Sequence, residues 1–182
     1  MKKISLAIII SVFTLTIANA QVKTREQLKT EQQSLNAEHN SASYKERQNK
    51  IALLSVPPAT GIGDVDALVD SSKNALALTK INDASLADLF RRTTDSSATS
   101  KKPAKEELYA LSNNITVVSN SLAKTAKDLL VIQDQEDNAD MLKQANVIES
   151  ISYVKMVNAL LTEELAYEIR AYNNLIATYK LR

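Results

Sequence analysis

The chain has no cysteine and no tryptophan, and only one histidine, two glycines and three prolines in 182 residues. Each shortage excludes something. Without cysteine there is no disulfide framework, and with His39 alone there is no Cys/His zinc site. A ferritin-like di-iron bundle needs two Glu-x-x-His pairs, and the sequence contains none. His39 lies in the polar stretch Glu38–Ser43, where a solvated side chain is the default, so nothing there supports a triad or a general base. Gly61, Gly63, Pro57, Pro58 and Pro103 cannot supply the many tight turns of a sandwich or barrel. A few long helices need hardly any. The composition therefore predicts an all-α protein whose stability comes from packing.

What is present begins with an address. Lys2 and Lys3 precede an apolar run from Ile4 to Ile17, and Ala18-Asn19-Ala20 places small residues before Gln21. A charged head, a short apolar core and an A-x-A exit make a secretory signal peptide over residues 1–20. The run of about 14 residues falls short of the roughly 20 that a membrane-spanning helix needs. No cysteine stands at the cleavage point to carry a lipid. The expected product is an exported, bacterial-looking protein of the periplasm or exterior, with no stable membrane anchor after cleavage. That leaves residues 21–182 as a single helical-bundle domain. Lys2 and Lys3 leave with the leader, so 20 basic side chains face 21 acidic ones. A near-neutral chain with interspersed signs gives no electrostatic footprint for nucleic acid.

The mature segment is organised by helical periodicity. Thr24 to about Leu54 reads as a first helix, with Thr24 as its cap and Pro57-Pro58 as its stop. Its apolar stripe (Leu28, Leu35, Ala42, Ile51, Leu53, Leu54) is thin, which predicts either loose docking or a partner that covers the stripe. Asp64 reads as the cap of a second helix. Asp83 reads as a second cap within it, predicting a kink near Asn82-Asp83. Thr93–Lys102 reads as an exposed loop, with Ser100 or Pro103 opening the next helix.

Leu108, Leu111, Ile115, Val118, Leu122, Thr125, Leu129 and Ile132 then follow a 3-4 spacing, a coiled-coil-like seam. A last helix from about Ala139 to Tyr179 continues the pattern through Val147, Ile151, Val154, Asn158, Leu161, Leu165, Glu168, Tyr172, Leu175 and Tyr179. Ile148, Val157, Leu160, Ile169 and Ile176 widen it, so this helix should touch two neighbours. The expected architecture is an elongated antiparallel bundle of three to four long helices.

Three groups carry the remaining chemistry. Asp134, Glu136 and Asn138 alternate as in an EF-hand loop, but Ala139 and Ala145 occupy the positions of its glycine and its final glutamate. An inter-helix turn is the reading that survives. Glu164 and Glu168 lie one turn apart, and Glu168 and Asn158 fall on the apolar seam, where buried polar groups fix register. Paired carboxylates serve glycosidases, but those clefts are lined by sugar-stacking aromatics, and there is no tryptophan here. Tyr153, Tyr167, Tyr172 and Tyr179 gather on the last helix and form a candidate partner-binding face, since tyrosine buries a ring while keeping its hydroxyl wet.

The sequence thus predicts a non-enzymatic exported protein without a cofactor. It would act through helix faces, on a protein partner or on itself, as an adaptor, scaffold or accessory part of an envelope or secretion assembly. The alternative is a periplasmic small-molecule or metal-binding bundle, with a polar cavity around Asn158, Glu164 and Glu168.

Overall fold

The computed structural model describes residues 23–94, 101–132 and 141–181. The leader Met1–Ala20, the acidic stretch Asp134–Asp140 and Ser100 lie outside the described residues. Among those described there are five helices: α1 (Arg25–His39), α2 (Ala42–Ala52), α3 (Gly63–Thr94), α4 (Lys105–Ile132) and α5 (Met141–Lys180). No described residue is in a strand. At about 1.5 Å per residue, the 40 residues of α5 extend about 60 Å.

The expected first helix is two helices. Thr24 caps α1 through a reciprocal capping box with Gln27. The chain then breaks at Asn40-Ser41, and Ser41 (ψ 157°) caps α2 by accepting from the Tyr44 N–H. The reason is phase. Leu28 and Leu35 are buried one heptad apart, as are Tyr44 and Ile51. Nine residues separate Leu35 from Tyr44, which in an unbroken helix would turn the second pair about 180° away from the first. The break brings both pairs to the same side.

The joined α1–α2 segment lies along the C-terminal half of α5. Arg25 donates to the Leu181 carbonyl, Asn174 to Leu28 O and Glu31, Arg170 to Glu38, and Arg47 to Glu164. Partners descend along α5 as the chain ascends from Arg25 to Arg47, so the segment runs antiparallel to it. We call this segment the arm.

A loop turned by Gly61 (φ 73°, where glycine carries no Cβ penalty) leads into α3. Asp64, expected as the cap, stands inside the first turn of α3, and Asp66 of the same turn ties the preceding loop to the helix. The Asp66 carboxylate accepts from the Thr60 N–H and hydroxyl and from the Gly61 N–H, which holds it below the usual carboxylate range. The expected kink is absent, and α3 runs unbroken through Asn82 and Asp83 for 32 residues. Asn82 continues the buried stripe that includes Ser72, Thr79 and Leu86, so the helical phase passes straight through it. Thr93, expected in a loop, is a buried residue of the last turn.

Ala104 precedes α4, its N–H donating to Glu107, which also takes two bonds from Arg92. Those bonds pull the Glu107 carboxyl down to about 2. Arg92–Glu107 and Ser71–Ser121 together show α3 and α4 antiparallel. All eight positions of the 3-4 seam on α4 are buried. α5 packs against α3, α4, α1 and α2, more neighbours than its stripe predicted. Leu161, Val157 and Leu175 are fully buried in it, whereas Ile148 is exposed.

Candidate docking site

Where the arm meets α3 and α5, three carboxyl groups share a buried pocket of side chains with one guanidinium. Glu164 and Glu168, one turn apart on α5, are both fully buried. Arg47 of α2 donates from Nε to Glu164 Oε2 at 2.7 Å and reaches Glu163 Oε2 from Nη1 at 3.4 Å. Its guanidinium carbon lies 5.0 Å from the centre of the Tyr44 ring, a cation–π distance. From α3, Asn82 donates to Glu168 Oε2 at 3.0 Å, and Asp83 adds the third carboxyl beside Glu164. Three rings roof the cluster: Tyr44 and Tyr167 are 5.4 Å apart, and the exposed His39 lies 4.4 Å from Tyr44 and 5.9 Å from Tyr167.

Electrostatics follow from burial. Desolvation disfavours the charged form, so Asp83 rises to about 7, with Glu164 adding repulsion and Arg47 opposing it. Glu168 rises to about 8 for the same reason, partly offset by the Asn82 hydrogen bond. Tyr167 is pushed up to about 12 and Tyr44 further still, by burial and by the neighbouring acids.

The unpartnered atoms fit protonation. Asp83 Oδ1, Glu164 Oε1, Glu168 Oε1 and Asn82 Oδ1 are all buried without a hydrogen-bond partner. All four are acceptors when the acids are ionised. A proton on Asp83 gives Glu164 a donor. A proton on Glu168 offers a hydroxyl to Asn82 Oδ1, completing an acid–amide pair. Burial therefore favours one ion pair, Arg47–Glu164, with protons drawn onto the acids beside it, over three buried charges.

The residues expected to be functional are dispersed. Tyr167 is buried under the arm, and Tyr153 is buried elsewhere on α5 with its hydroxyl unpartnered. Tyr172 and Tyr179 are half-buried against the core, and Tyr179 lines a small cavity with Arg92, Thr93, Lys102 and Pro103. In the folded chain the four rings do not form one open face. Asn158 accepts from Thr125 of α4 at 2.8 Å, tying α4 to α5. Glu168 does the same between α5 and α3.

Arg47 and Tyr44, which share a helix face three residues apart just beyond the polar stretch Glu38–Ser43, were not among the residues the sequence pointed to. The sequence also presented Asp83 as a cap. The signal was there in Ser72, Thr79 and Asn82, polar residues recurring at seam positions of α3. Among the described residues no group of three acidic or histidine side chains is arranged to hold a metal ion. No described helix is long and apolar enough to cross a membrane. The chain matches no protein-family model, no curated protein and no solved structure.

Proposed function

We propose that this is an exported, non-enzymatic helical protein that works by protein–protein contact, with the arm as its movable part. The reading of residues 1–20 as a cleaved leader supports export to a bacterial periplasm or exterior.

One observation supports the movable arm. Its 15 and 11 helical residues bury only Leu28, Leu35, Tyr44 and Ile51, whereas the 28 residues of α4 bury nine. The rest of its attachment is polar: Arg25–Leu181, Glu31–Asn174, Glu38–Arg170 and Arg47–Glu164. Contacts of this kind exchange readily for equivalent contacts from another amphipathic helix, because little apolar area is lost in the transfer. Lifting the arm uncovers Tyr167 and the acidic cluster, offering a partner helix an aromatic anchor beside a buried carboxylate that selects arginine. The protein would serve as an adaptor or accessory part of an envelope assembly, its last helix passing from intramolecular to intermolecular packing.

Photo-crosslinking in the intact bacterial envelope tests this, with a photoreactive residue in place of Tyr167 and, as a control, of Tyr109 on the exposed side of α4. The reading predicts a discrete cross-linked partner from position 167. Cross-links running from position 167 only to α1 and α2 of the same molecule would sink it. Mass spectrometry of the exported protein should find Gln21 at its N-terminus, and an intact leader would remove the export half of the proposal.

A further inference from the structure

The closed arm sets Arg47 against the buried Glu164, and the half-buried Asp83 of α3 lies beside that pair with one oxygen shut off from water. Arg47 takes one oxygen of Glu164 at 2.7 Å, leaving Glu164 Oε1 and Asp83 Oδ1 buried and unpartnered. Two ionised carboxylates side by side, away from water, repel each other and forfeit their hydration. One proton removes the repulsion and supplies the missing donor.

We propose that a proton held between Asp83 and Glu164 closes the arm onto the bundle, so that the arm docks in mild acid and loosens as the pH rises past neutrality. This rests on the reading of α1–α2 as a movable arm and assigns the signal that moves it.

The charged and titratable groups at the site come from every element that meets there. α1 contributes Glu38 and His39, α2 Tyr44 and Arg47, α3 Asp83, and α5 Glu163, Glu164, Tyr167, Glu168 and Arg170. Arg47 pulls the Asp83 proton off, while burial and Glu164 hold it on, and burial is the largest influence. With the arm lifted, the half-buried Asp83 gains water and loses part of the burial that holds its proton. The closed state therefore binds the proton more tightly than the open state, and linkage makes raised pH favour opening. Glu168 sits deeper, on Asn82, and its proton strengthens the contact between α3 and α5 rather than the arm.

Double electron–electron resonance reads arm position directly, and the absence of cysteine makes labelling unambiguous. Nitroxides go on Lys29→Cys in α1 and Lys80→Cys in α3, both exposed. Between pH 5.5 and 8.5 the ratio of open to closed distances should rise by about tenfold or more. Asp83→Asn, which donates without ionising, should keep the arm closed at both values. His39→Gln should leave the response in place. The carboxyl carbon resonance of Asp83 in the unlabelled protein should titrate near neutrality.

A flat distance profile, a response that disappears with His39→Gln, or an Asp83 titration near 4 would each overturn the proton latch. Arg47→Ala separates the two levels of the argument. If it opens the arm at pH 5.5 while the parent shows no pH response, only the latch fails. If the arm stays shut in Arg47→Ala as well, the movable arm fails with it.

Discussion

Removing Arg47 should do far more than removing a surface arginine. Its side chain is 12% exposed and that of Glu164 is fully buried, with 2.7 Å between Nε and Oε2. Truncation to alanine leaves Glu164 buried without its cation. Breaking a buried pair from one side costs about 3–5 kcal/mol. Water entering where the arm lifts would relieve part of that, so a loss of about 3 kcal/mol is the working figure.

The clean measurement is a double-mutant cycle in urea, using Arg47→Met, Glu164→Leu and the pair. Each single change leaves one charge of the pair without its partner, and the double change removes both charges, with Asp83 losing Glu164 as its neighbour. The cycle should give a coupling energy of about 2 kcal/mol, with the double variant less destabilised than the sum of the two single changes by that amount. A coupling below about 0.5 kcal/mol would put Arg47–Glu164 among ordinary surface pairs. The account of the site would then be wrong.

Three further outcomes follow from the same contacts. Glu168 is raised to about 8 and Asp83 to about 7, so their contribution to stability is full below the usual carboxylate range near 4 and is lost as pH rises through those values. The decline is at most about 1.4 kcal/mol per pH unit per group, and Glu168→Gln should flatten part of it in urea titrations. Asp66→Ala should cost about 1 kcal/mol by removing the acceptor of the buried Thr60 N–H and hydroxyl. Its pH dependence has the opposite sign, because the Asp66 carboxyl is held low and its contribution disappears as pH falls through that lowered value. Leu161→Ala, at a fully buried position of α5, should cost about 3 kcal/mol in thermal or urea unfolding.

How much of this was legible in the sequence varied with how local the cause was. The α4 seam from Leu108 to Ile132 could be read to the residue, because a 3-4 spacing of aliphatics has one structural solution. The end of the last helix was placed to within one residue, Tyr179 against Lys180, while its expected start at Ala139 lies outside the described residues. The break at Asn40-Ser41 was written in the nine-residue step from Leu35 to Tyr44, but only a partner face on α5 gives that phase a meaning. Capping chemistry misled at Asp64 and Asp83, since an aspartate before an apolar run looks the same whether it caps a helix or lies within one. The acidic cluster was half visible. Glu164 and Glu168 announce themselves by spacing, whereas Arg47 lies 117 residues away from its partner and no local pattern joins them.

Native-state hydrogen exchange tests the central claim most directly, because it measures the opening free energy of each helix within the intact protein. The account predicts that amides of α1 and α2, around Leu35, Tyr44 and Ile51, exchange through a sub-global opening. That opening should lie at least about 2 kcal/mol below the global unfolding reported by core amides at Val118 and Leu161. Exchange of the arm only through global unfolding, at the same free energy as those core amides, would show that the arm is part of the bundle rather than a movable piece of it.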